Sequence, residues 1–180
     1  YIAQRAGIGL NLGRIRGINS KIRGGEVAHT GVIPFLKVFE STVRSCTQNG
    51  IRGGSATVHF PIWHQEIEDI LVLKNNKGTE DNRVRRMDYS IQVSKLFYER
   101  FMNEEEISLI SPHQAPGLYD AFGTEAFDDL YLKYEKDKTI PKKKVKAQDL
   151  FFDLLKERAE TGRIYIMNMD HANSHSSFKD

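Results

Sequence analysis

One cysteine, Cys46, stands among 180 residues, so no disulfide can form within the chain. A lone thiol suits a reducing compartment, and the cytoplasm is the expected location. Long apolar runs are missing too. None approaches the roughly 20 residues needed to cross a bilayer, so no membrane partner is expected. No charged segment followed by an apolar one opens the chain, so a secretory signal is not expected. Neither sign of charge dominates. The 26 Lys+Arg and 24 Asp+Glu leave a formal net charge of +2, which gives no reason to expect nucleic-acid binding. Repeats and Gly/Ser- or Pro-rich linkers are absent, and the length fits about one domain. What is there is ordinary for a globular chain: 39% hydrophobic and 28% charged residues, against the profile of disorder.

Along the chain, strand and helix patterns alternate. Ile8, Leu10 and Leu12 alternate with small or polar residues, which predicts a strand near 8–15. Residues 17–27 read as a glycine-bearing loop. Val32, Phe35, Leu36, Phe39, Val43 and Cys46 recur at steps of three and four and predict a helix with one apolar face. Residues 49–54 form a second glycine loop. Ala56, Val58 and Phe60 predict a strand stopped by Pro61, and Ile67, Ile70 and Leu71 a short helix. Further strands are expected near 89–93 and 107–110, and helices near 94–103, 117–122 and 124–136. The lysines between 136 and 146 read as a solvated connection. A helix carrying Leu150, Phe151, Leu154 and Leu155 ends at Gly162, and a strand follows at Ile164–Met167. Tyr1–Ala6 reads as the last turns of a helix already under way, and residues 171–180 as polar coil. Both ends read as cut from something longer. The alternation predicts an α/β fold with a largely parallel sheet, because parallel strands need such crossovers.

The candidate chemistry lies in the two glycine loops. The first carries Arg14, Arg16, Lys21 and Arg23, and the second carries Gln48 and Arg52 among glycines. Guanidinium groups hold phosphate bidentately, and glycine lets backbone N–H groups approach it. Solvated turn arginines would give the same pattern. Gly7, Gly9 and Gly13 approach a dinucleotide fingerprint, but the spacing is one residue too long and lies within a strand. Glycines so placed more often mark close approach of another backbone or a ligand. His171 and His175 are four apart, a metal-ligand spacing on a helix, but here they are expected in coil, so no metal site is predicted. Cys46, on or at the end of the apolar face, reads as a buried thiol.

Longer blocks carry a resemblance. Tyr1-Ile-Ala-Gln-Arg-Ala-Gly-Ile-Gly-Leu-Asn-Leu-Gly-Arg-Ile-Arg16 resembles the strand leading into effector loop one of the class I ribonucleotide reductase large subunit. Ile22-Arg-Gly-Gly-Glu26 and His29-Thr-Gly31 resemble the next piece, and Ser45-Cys-Thr-Gln-Asn-Gly-Ile-Arg-Gly-Gly54 resembles effector loop two. Leu71–Asn76, Asn82–Arg85, Met87–Tyr89, Pro116–Ala121, Lys133–Lys136 and Thr161–Ile166 follow in the family's order, so the match covers nearly the whole chain. The flavour is bacterial or phage.

The resemblance implies a ten-stranded α/β barrel, of which residues 1–180 supply roughly the first half, with no complete second domain. It implies reduction of ribonucleoside diphosphates to deoxyribonucleotides by thiyl-radical chemistry. It makes Arg16 and Arg23 the grip on the triphosphate of a specificity effector (dATP, dTTP, dGTP or ATP). Cys46, Gln48 and Arg52 become the loop that reports effector identity, and Ala6 and Gly7 backbone that lines the substrate ribose. Implied partners are the rest of the large subunit, a second large subunit, the radical-generating small subunit with its metallocofactor, and thioredoxin or glutaredoxin. The family's radical cysteine lies in an Asn-x-Cys-x-Glu motif that this sequence lacks, so no catalytic residue is assigned and the chain alone is expected to be inactive. An unsealed half-barrel would expose strand edges and associate. Two other readings remain: a nonenzymatic deoxynucleotide-binding module, and a Rossmann-type oxidoreductase resting on the three glycines.

Overall fold

The computed structural model describes residues 1–48 and 50–177. Its elements run β1 (Ile8–Asn11), β2 (Lys21–Ile22), β3 (Val27–Ala28), α1 (Ile33–Ser45), β4 (Thr47–Gln48), β5 (Arg52–Gly53) and β6 (Ala56–Pro61). Then come α2 (Ile67–Leu71), β7 (Asp88–Val93), α3 (Lys95–Met102), β8 (Glu106–Ile110), α4 (Leu118–Ala121) and α5 (Ala126–Lys136). β9 (Lys142–Lys146), α6 (Ala147–Thr161), β10 (Ile164–Asn168) and α7 (Met169–His175) complete it.

The central sheet has four strands in the order β1-β6-β7-β10, every neighbouring pair parallel. Ile8 pairs with Ala56, Val58 with Tyr89, and Ile91 with Ile166. β6 and β7 lie in the middle. β7 is buried from Tyr89 to Val93, polar Ser90 and Gln92 included, as expected of a parallel strand covered on both faces. Val58, Phe60, Trp63, Ile91 and Phe97 lie at the heart of the core, and Trp63 packs edge-on to Phe122.

Several expectations need correction. The lysine run is not all connection: Lys142–Lys146 form β9, antiparallel to β8. Its side chains are mostly exposed, so hydropathy gave no sign of it. The backbone pairing, half-buried Val145 and the Lys144–Glu106 ion pair at 3.8 Å hold it. Residues 171–175 are helix, not coil, continuing α7 from Met169. Residues 178–180 of that predicted coil lie outside the described residues. Tyr1–Ala6 holds only one 3-10 turn, Ile2–Gln4, closed by Arg5 at φ 66°. α1 forms as predicted, but its stripe is narrower. Val32, Leu36 and Val43 are buried, whereas Phe35 and Cys46 are exposed. Cys46 escapes burial because the helix stops at Ser45 and the backbone turns extended there.

Candidate functional site

Both glycine loops are attached to α1. Loop one, residues 12–32, runs from the end of β1 to the helix N-terminus, and loop two, residues 46–55, leaves its C-terminus. The helix has 13 residues, so the two attachment points are about 20 Å apart.

Loop one is a hairpin laid on the turn that follows β6. Its two limbs pair: β2 is antiparallel to β3, Asn19 N–H donates to His29 O at 2.9 Å, and His29 N–H to Ser20 O at 2.9 Å. Beneath it, Gly17 N–H donates to Ser111 Oγ at 2.9 Å and Ile18 N–H to Glu66 Oε2 at 2.8 Å. The Ser20 and Ser111 hydroxyls are 3.1 Å apart. His64 Nε2–H donates to Ile15 O at 2.8 Å, and Gln65 Nε2 to Ile18 O at 3.1 Å. Backbone and turn lie so close that a Cβ on Gly17 would stand 2.3 Å from Gln65 Oε1. Gly13 is likewise crowded, by the Tyr119 ring. Gly7 and Gly13 flank β1, Gly9 lies within it, and only Gly13 of the three marks a close approach. They do not form a turn between strand and helix, so the dinucleotide reading fails on its geometry.

The three arginines of loop one have different surroundings. Arg14 ion-pairs with Asp120 at 2.5 Å and lies over Tyr119, so it is occupied. Arg16, half-buried, donates from Nη1 to Lys21 O at 3.1 Å. Arg23 is exposed in the tight turn between β2 and β3, with no ion pair among the described residues. His29 stands within electrostatic reach of Arg16: burial and then the Arg16 charge lower its pKa. Its Nδ1 accepts from Gly31 N–H at 3.1 Å, and its ring stacks on Phe35.

Loop two makes a two-rung hairpin in which Gln48 pairs with Arg52. Asn49 of this loop lies outside the described residues. Gln48, Ile51, Arg52 and Arg5 line one cavity of about 340 Å³, at the small end of the range for ligand sites. Arg5 was not singled out from sequence, although it adjoins Ala6 and Gly7. Ile8 N–H donates to Ser55 O at 3.1 Å, which joins the Ala6–Gly7 segment to the end of loop two. Ala6 is half-buried and Gly7 exposed. The structure thus brings Ala6, Gly7, Gln48 and Arg52 to one region. Arg16 and Arg23 sit on the other loop, and Cys46 at its own turn is exposed.

The described residues contain no cluster of three or more His, Cys, Asp or Glu suited to a metal, and no helix long and apolar enough to cross a membrane. His171 and His175 do share a helix, with ring centroids 6.1 Å apart, but His175 Nδ1 lies against Ser174 Oγ and His171 O.

The family model for the ribonucleotide reductase barrel domain matches residues 1–180. The chain belongs to this family. It is 60% identical over 180 residues to the ribonucleoside-diphosphate reductase subunit alpha of Buchnera aphidicola subsp. Baizongia pistaciae. It is 58% identical to ribonucleoside-diphosphate reductase 1 subunit alpha of Escherichia coli strain K12, and 52% to the subunit alpha of enterobacteria phage T4. Each comparison covers 99% of this chain and 24% of the relative, so the chain spans about a quarter of their length. The bacterial and phage flavour read from the sequence, and the barrel assignment, agree with these matches. The all-parallel four-stranded sheet is the part of that barrel seen here.

Proposed function

We propose that this chain is the effector-responsive part of a ribonucleoside-diphosphate reductase large subunit. Loop one would hold the triphosphate of a deoxynucleotide or ATP effector through Arg16 and Arg23. Loop two would report which base is bound, through Gln48 and Arg52, to the ribose-facing backbone of Ala6 and Gly7. The observation that carries this is the cavity shared by Arg5, Gln48, Ile51 and Arg52. It sets loop two directly against the Arg5–Gly7 segment, so a shift of the loop reaches the substrate side without an intermediate element. Arginine suits the other end of the relay because its fork fits phosphate oxygens bidentately.

A large-subunit homodimer fits the same geometry. The two loops leave opposite ends of α1, which exposes Phe35 and Val38 one turn apart. Two copies of α1 packed antiparallel would bring loop one of one subunit beside loop two of its partner. The radical cysteine and the reducing pair would come from elsewhere in the large subunit, since Cys46 is the only cysteine here. The radical metallocofactor belongs to the small subunit, and thioredoxin or glutaredoxin would return electrons. The site of action is the cytoplasm, and these 180 residues alone would turn over no substrate.

The test uses the full-length large subunit with its small subunit and reductant. Arg16→Ala and Arg23→Ala are each expected to weaken dTTP binding at least tenfold, as loss of a charge-assisted phosphate contact requires. Arg52→Ala is expected to flatten the dependence of substrate preference on effector while dTTP affinity changes less than threefold. Wild-type dTTP affinity in both loop-one variants would overturn the assignment.

A further inference from the structure

Glu66 is a carboxylate only 4% exposed, and no cation pairs with it among the described residues. An isolated buried carboxylate is costly. Here its compensation comes from loop one. Oε2 accepts from Ile18 N–H at 2.8 Å and Oε1 from Val32 N–H at 3.1 Å. Those amides lie on the outgoing and returning limbs of the same loop. Arg16 stands two residues before the first clamp point, and Arg23 between the two.

The carboxylate is itself held in place. Its own backbone N–H donates to His64 Nδ1 at 3.1 Å, while His64 Nε2–H reaches Ile15 O. Gly31, at φ +88°, leaves the carboxylate its room, since a Cβ there would stand 2.5 Å from Oε1. Ser111 grips the loop beside it, at Gly17 and Ser20.

We infer that Glu66 is a positioning residue for effector binding, and Ser111 a second, weaker one. Glu66 touches no nucleotide. It closes the base of loop one so that Arg16 and Arg23 present their guanidinium groups before the effector arrives, which spares the binding step the ordering of a long loop. The inference rests on the effector reading of Arg16 and Arg23.

The experiment is equilibrium binding of dTTP, dATP and dGTP to the full-length large subunit, recording both Kd and sites per subunit. Glu66→Gln replaces one acceptor with an amide N–H facing a backbone N–H. It is expected to raise Kd about tenfold, equally for all three nucleotides, with the number of sites unchanged. Glu66→Asp keeps two carboxylate oxygens and is expected to recover part of the loss. Ser111→Ala is expected to raise Kd about threefold. A merely structural role would lower the number of sites at unchanged Kd, and that result overturns the inference. So does a Glu66→Gln Kd within twofold of wild type while Arg16→Ala has lost dTTP. Wild-type binding by both Arg16→Ala and Arg23→Ala would instead defeat the effector reading beneath it. Should Glu66→Gln not fold, Ser111→Ala decides: a threefold rise at full site number supports the inference, and no rise overturns it.

Discussion

Loop one and loop two are both glycine-rich and both join α1, yet they are held in opposite ways. Loop one is fastened from beneath by Glu66, His64, Gln65 and Ser111, and Gly17, Ser20 and Gly31 are buried. Loop two has a two-rung hairpin and, among its described residues, no side-chain hydrogen bond to the rest of the fold; Ile51 is 86% exposed. In the roles proposed above, a phosphate grip gains from a loop fastened in advance, because prior ordering lowers the cost of binding. A reporting loop needs two accessible arrangements, and few contacts favour either one.

The largest break in this contrast is expected at Gly54, where loop two presses on the end of α1 and on Ile2. A Cβ on Gly54 would stand 2.3 Å from Val43 O, 2.8 Å from Ile2 Cγ2 and 3.1 Å from Cys46 O. Two of those atoms are backbone, so no side chain can swing aside. Gly54→Ala is expected to cost about 2–3 kcal/mol by forced repacking. Denaturant unfolding of the full-length subunit checks this, and a loss under about 0.5 kcal/mol would show that the end of loop two gives way.

Next comes the pin under loop one. Burial holds the pKa of His64 down to about 4, against the opposing pull of its bond to Ile15 O. In the unfolded chain a histidine titrates near 6.5. Between those values the unfolded chain binds the extra proton, so stability falls as pH drops through 6.5 towards 4. The slope should approach about 1.4 kcal/mol per pH unit. Burial raises the Glu66 pKa, offset in part by its bonds from Val32 and Ile18, so Glu66 takes up its proton earlier in the fold and works the other way. Comparing wild type with His64→Gln across pH 6.5 to 4.5 cancels that contribution. Parallel stability curves would mean that His64 is protonated within the fold.

The two kinds of attachment were not equally legible in the sequence. α1 and the central strands announce themselves locally, through steps of three and four around Leu36 and through alternation at Val58. The arginines and glycines of both loops could be picked out as phosphate-binding types. The fastening of loop one could not, because Glu66 reaches amides 48 and 34 residues away in sequence. A glutamate after Trp63 carries no local mark of burial. β9 hid for a related reason: its pairing with β8 is made by the backbone, while three of its four lysine side chains are exposed. α7 hid behind Asn, Ser and His, residues that favour caps and turns when read alone.

The smallest expected effect sharpens the contrast most, because it lies one residue from the largest. A Cβ on Gly53 would meet nothing within 4 Å. Gly53 lies in β5, paired with Thr47, and is exposed. Alanine there removes backbone freedom from the unfolded chain and adds no clash, so Gly53→Ala should change stability by no more than about 0.5 kcal/mol, towards stabilisation. The same restriction acts on the folded loop. If loop two works by moving between arrangements, Gly53→Ala should narrow the spread of substrate preference among dATP, dTTP and dGTP while leaving each nucleotide's affinity within twofold. Unchanged preference together with unchanged stability would show that the loop reports through the Gln48 and Arg52 side chains alone, with its backbone already fixed.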